Sequence, residues 1–396
     1  MIKRRRLLGA GFATVVAATA LAGVGAPGAG AVTTSLEGVS AEEANAAAEG
    51  YAEVVRASYD ASIASAKQLQ TAVQAFVASP TQETLDAAKQ AWITARDHYG
   101  PTEAFRLYGG PIDHPKTGLE GQINAWPLDE AYIDSVEGDS DAGIVNDTED
   151  YPEITHDVLV EANEEGGETN ISTGWHAIEF LLWGQDTVAG QPGQRPVTDY
   201  TTAANPDRRA AYLTAATDLL VSDLEEVRAQ WDDGTKHMKD WQKNGATAVA
   251  KSLRGIGALS AGEVAGERMA VAYETKDQED EHSCFSDNTN ADIAGDQVGI
   301  RRVYLGELPD GSTVETSISS LVEQVNPKVD AAMREQLDAT TAAIEALPAP
   351  FEELIVGKNT EPGRVALLAA IEELEAQGKQ IAKVAKAFRT KISVEV

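Results

Sequence analysis

Near the C-terminus, Leu367, Ile371, Leu374, Gly378, Ile381, Ala385 and Phe388 follow a strict four–three alternation. Steps of four and three keep side chains on one face of an α-helix, so this stripe has to be buried against other helices. A second stripe, Val55, Tyr59, Ile63, Ala66, Leu69, Val73 and Phe76, marks the other end of the chain. Ser79, followed by Pro80 and by Gln82 three residues on, predicts the start of a further helix whose apolar face runs through Leu85, Ala88 and Trp92. Similar helices are predicted over 208–231, 246–273 and 317–347. No stretch sustains the two-residue alternation of a half-buried strand, so the fold class is all-α, with antiparallel bundle helices.

The first six residues, MIKRRR, are basic, and Leu7 to Val24 follow without a charge. A basic start, an apolar run and the small-residue pattern Ala29-Gly30-Ala31 are the layout of a signal peptide, with cleavage expected before Val32. The arginines fit either Sec or twin-arginine export. The chain is therefore expected to be exported, to a periplasmic or extracellular address. No other apolar run is long enough to span a bilayer.

Of the 396 residues, those beyond 31 exceed what one hydrophobic core usually serves, so two domains are expected, 32–200 and 201–396. Irregular, turn-rich stretches are predicted at 108–121, 138–168, 186–207 and 286–312, with 186–207 the candidate boundary. The formal charge of −31 becomes more negative once the basic leader is lost. Such a field repels nucleic acid and attracts cations, although a solvated acidic surface explains most of these carboxylates. With a single cysteine, Cys284, no intramolecular disulfide can form, and packing must supply the stability.

One segment carries chemistry. Residues 170–183, NISTGWHAIEFLLW, open as a helix start and become almost wholly apolar. His176 and Glu179 are three apart and share a helix face. An imidazole nitrogen and a carboxylate converging there make half of a metal site, and the positive helix end favours neutral imidazole and ionised carboxylate. The same spacing also suits a buried hydrogen-bonded pair that fixes the helix.

The order Gly174-Trp175-His176-Ala177-Ile178-Glu179 resembles the G-x-H-x-x-E signature of the imelysin-like proteins, the iron-regulated protein A type of peptidase family M75. Further segments join it: AWITARDHY from Ala91, TEAFR from Thr102, GPID from Gly110, GERM from Gly266 and DQEDEHSCFSDNT from Asp277. The last is similar to the iron-regulated branch in particular. The resemblance implies two four-helix-bundle-like domains and a site near their interface containing His176 and Glu179. It also implies Glu103 as an extra carboxylate ligand, with Arg106 and Asp113 near enough in sequence to orient or complete the site. Against those roles, Arg106 suits a structural ion pair and Asp113 the shaping of the Gly-Pro turn. The run 277–281 reads as a solvated helix end, and Cys284 beside His282 and Asp287 as a packing residue, because a soft thiol matches hard carboxylates poorly.

Three functions compete. The first is a metal-binding protein of iron uptake or handling, the cation being iron, with zinc or calcium as alternatives, and a membrane transport component as partner. The second is an M75-type metallopeptidase. The third is an interaction module for a peptide or haem-like ligand. The chain lacks His-Glu-x-x-His, which places two ligands and a general base on one helix turn, and has no haem-attachment motif. Binding is therefore favoured over catalysis.

Overall fold

Each predicted stripe became a buried helix face. In the computed structural model, which describes residues 35–394, the first helix runs Ala41–Ala78, opened by a capping box in which Ser40 and Glu43 satisfy each other's backbone N–H groups. All seven members of its stripe are buried. The C-terminal helix, Pro362–Ala387, buries its own stripe from Leu367 to Ala385, and Phe388 closes it. Among the described residues there is no strand beyond two isolated bridges, and no helix is long and apolar enough to cross a membrane. The signal peptide of residues 1–31 and its cleavage before Val32 lie outside the described residues.

Three local expectations differ. Thr81, not Ser79, caps the second helix, Gln82–Tyr99; Ser79 ends the first, donating its N–H to Ala75 and Phe76. The helix expected over 317–347 breaks into Ile318–Val325 and Pro327–Glu345, because Pro327 has no N–H to donate and Asn326 caps the new start. The stretch 286–312 is irregular only at its ends, since Thr289–Leu305 is helical. Its buried face carries Asp292, Asp296 and Gln297, so no apolar stripe announced it.

The expected helix over 246–273 changes pitch. Gly245–Ala258 is α-helical, Leu259–Ala270 is a π-helix, and Val271–Thr275 resumes the α form. The π segment packs on the C-terminal helix, where Gly378 makes room: a Cβ there would stand 2.6 Å from the Ala261 methyl.

The helices assemble in two groups. Ala41–Ala78, Gln82–Tyr99, Gly174–Trp183 and Pro206–Ala229 pack together, as do the 245–275 rod, Thr289–Leu305, Pro327–Glu345 and Pro362–Ala387. The described residues are nonetheless one compact unit, and the first helix also packs on Gly245–Ala258. The Pro206–Ala229 helix lies beyond the expected boundary between 200 and 201 yet packs on the first helix. We keep the two-domain division as a proposal, with a boundary past that helix.

Candidate metal centre

Gly174 sets the motif helix in place. Its φ is +83°, and a Cβ at this position would collide with the backbone of Gln122 and Ile123, so only glycine fits. Thr173, at the cap position, turns its hydroxyl to Asn163 instead of the helix. All ten residues of Gly174–Trp183 are buried.

The His176 Nδ1 and Glu179 Oε2 atoms lie 3.0 Å apart, the buried pair that the spacing allowed. The other Glu179 oxygen accepts from the Ser286 N–H at 3.0 Å and from its hydroxyl at 2.6 Å. His176 Nε2 is different: it is buried and has no hydrogen-bond partner. A polar atom left so costs free energy unless something binds it, about 1–3 kcal/mol. The Trp126 ring lies 4.8 Å from the imidazole, centroid to centroid, and a second imidazole, His282, also lies at 4.8 Å.

His282 repeats the arrangement. Its Nδ1 is 2.7 Å from Asp292 Oδ2 and 3.3 Å from Arg96 Nη2, and Asp292 also accepts from the Ser283 hydroxyl and from Arg96 Nε and Nη2. Each imidazole thus faces a carboxylate through Nδ1, the pattern by which a carboxylate orients a metal-ligating histidine.

Electrostatics keep both rings neutral. Burial, then the Arg96 charge, holds the His176 pKa well below its ordinary value. Burial and Arg268 lower His282 to about 4. Burial raises Glu179 to about 8 against the pull of the Ser286 hydroxyl. Burial opposes ionisation of Asp292 too, but Arg96 and His282 leave its pKa well below the usual carboxylate range.

The other expected residues gather in a neighbouring cluster. Glu103 accepts from Tyr99 at 2.9 Å and from Arg106 and Arg268 at 2.5 Å each, so both oxygens are engaged. Burial opposes its charge, yet the two arginines hold its pKa well below normal. Arg106 also pairs with Glu120 at 2.9 Å, the structural ion pair weighed from sequence. Asp113 accepts from the Gly109 and Gly110 N–H groups and shapes their turn. A cleft of about 530 Å³ runs past both clusters, with Arg106, Trp126, Glu263, Arg268 and His282 among its lining.

His282 was weighed from sequence with Cys284 and Asp287 as a metal group and set aside because of the thiol, and Asp292 was not singled out. Arg96 sat unremarked in AWITARDHY. Asp287, from the acidic segment, meets Asp186 and Glu352, and the charges of all three act on Glu281.

An all-helical fold with a Gly-x-His-x-x-Glu helix facing a second histidine defines a class of protein. The imelysin (peptidase M75) family model matches residues 55–381, and the chain belongs to this family. It is 28% identical over 320 residues to iron-regulated protein A of Synechococcus elongatus, covering 80% of this chain and 79% of the relative. A crystal structure from Parabacteroides distasonis, described as an iron-regulated protein A precursor, superposes with a TM-score of 0.70 at 21% identity, covering 88% of this chain and 96% of that one. An imelysin-like protein from Psychrobacter arcticum gives 0.67 at 12% identity, covering 91% and 99%. At these identities the two structures speak to fold alone.

Proposed function

We propose that this chain is an exported metal-binding protein of iron handling, and that it captures its ion through the imidazoles of His176 and His282. The observation that carries this reading is His176 Nε2, a buried nitrogen with no partner whose ring is already oriented by Glu179. In this reading Glu179 holds the imidazole so that its lone pair is free, and Asp292 does the same for His282. Glu103, compensated by two arginines, serves as a counter-ion, with Arg106 tying it to the cleft and Asp113 shaping the nearby turn. Imidazole nitrogens with carboxylate support suit iron or zinc. The relative's name connects iron with its regulation, which favours iron as cargo. The basic, apolar start of the chain supports export, and a membrane transport component is the partner that would receive the ion.

Metal analysis and anaerobic calorimetry of the mature protein with ferrous iron and with zinc test the reading. Loss of binding is expected in His176→Ala and in His282→Ala proteins whose circular dichroism is unchanged. Because Glu179 is raised to about 8, it gives up a proton when the ion fixes His176 in the Nδ1–H form. Binding at pH 7 therefore releases protons, visible as a heat that varies with buffer ionisation enthalpy, and tightens as pH rises toward about 8. Unchanged affinity in both histidine variants would overturn the assignment.

A further inference from the structure

The acidic segment that the histidine site leaves aside converges with two other parts of the chain. Asp186, from the loop after the motif helix, Asp287, from the turn before Thr289–Leu305, and Glu352, opening the short Glu352–Ile355 helix, each direct an oxygen so that the three lie within 4.8 Å of one another. None is fully exposed, and Glu352 is buried. Like charges gathered away from water repel strongly.

A separate observation points to a ligand. Glu281 is only 1% exposed, and its Oε1 is buried without a hydrogen-bond partner. The neighbouring charges that bear on this carboxylate are those of Glu352, Asp287 and Asp186, the same three. A buried carboxyl oxygen without a partner, beside three further carboxylates, is an arrangement a cation completes.

We infer that Asp186, Glu281, Asp287 and Glu352 form a second cation site, oxygen-coordinated and of the calcium class, distinct from the histidine pair. The ligand chemistry selects the ion. Carboxylates alone, with neither imidazole nor sulfur, suit hard cations. Calcium takes its oxygens at about 2.3–2.6 Å, so ligands on opposite sides stand roughly 4.6–5.2 Å apart. The observed spacing accepts it without expansion. Magnesium, at about 2.0–2.1 Å, demands near-ideal octahedral geometry and keeps much of its water, so an all-carboxylate protein cage suits it less.

The site has a structural consequence. Glu281 and Asp287 bracket His282 and Ser286, the residues that face His176 and Glu179. A cation bound here pins both ends of the segment that builds the opposite wall of the histidine site.

Calcium titration of the mature protein by calorimetry, repeated with magnesium, tests this. Calcium is expected to bind with a Kd on the order of 10⁻⁵–10⁻⁴ M, with magnesium weaker. Calcium is also expected to raise the melting temperature. Asp287→Asn and Glu281→Gln are each expected to weaken calcium at least about tenfold while leaving the calcium-free protein folded, because they relieve repulsion. His176→Ala should leave calcium binding intact, so this site and the iron-handling reading fail separately. No heat and no melting shift at about 10 mM calcium, well above the range of such sites, would overturn the inference. Binding unaffected by both carboxylate variants would overturn it as well.

Discussion

The two buried polar clusters along the cleft handle charge in opposite ways. Around Glu103 each carboxylate finds a guanidinium: Arg106 and Arg268 both reach Glu103, and Arg268 also reaches Glu263 and Asp296, at 3.0 Å each. Around His176 the ring is neutral, the paired carboxylate is raised toward protonation, and one nitrogen is left without a partner. The first cluster resembles a structural tie between chain segments. Both leave buried atoms without a partner, Arg106 Nε and Asp296 Oδ1 in the first and His176 Nε2 in the second, but in the second the atom belongs to a neutral imidazole, which can bind a metal ion.

The largest effect is expected on the compensated side. Arg268→Ala leaves Glu103 with Arg106 as its remaining guanidinium partner and takes away the one on Asp296, and removing one partner of a buried pair costs about 3–5 kcal/mol. Urea denaturation measures it, and an Arg268→Ala protein as stable as the parent would erase the contrast. On the other side, Glu179→Gln should raise the stability of the metal-free protein. Because the folded pKa of Glu179 lies above its ordinary 4.5, its contribution is complete below that value and is lost as pH rises through about 8. Glutamine does not titrate, so the variant should gain over the parent across that window, on the order of 1–3 kcal/mol near pH 8. Its metal affinity should nonetheless fall, because the amide can donate to Nδ1 and leave a proton on Nε2. Denaturation curves at pH 5 and pH 8 that shift equally would contradict this. The smallest effect belongs to Cys284, whose thiol burial pushes up well above its ordinary pKa, with Glu179 adding to the shift. Cys284→Ala should cost only about 1 kcal/mol and leave metal binding unchanged. Mass spectrometry should find the native thiol resistant to alkylation.

The parts of the fold that bury apolar stripes were legible, and the parts that bury polar chemistry were not. The faces from Val55 to Phe76 and from Leu367 to Phe388 could be read because water drives them inward whatever the partner. Thr289–Leu305 was hidden because Asp292 and Asp296 on its inner face imitate a solvated surface. Their partners, Arg96 and Arg268, lie far away in sequence, and no local spacing reveals such pairing. The π segment was equally silent, since its apolar residues fit an ordinary helix. For the site, the motif spacing gave the His176–Glu179 contact. His282 needed the tertiary fold, because it approaches from a segment more than a hundred residues away.

The burial of His176 Nε2 bears on time as well as affinity. No ion can reach that nitrogen from solvent without a displacement of its surroundings, and Trp126, whose ring is tilted by 54° to the imidazole, lines the cleft. Loading and unloading are then governed by how often the indole swings away. For the ion of the proposed reading, the lifetime of the bound state would depend on that side-chain door as well as on bond strength, keeping the ion in place through intervals of low external supply.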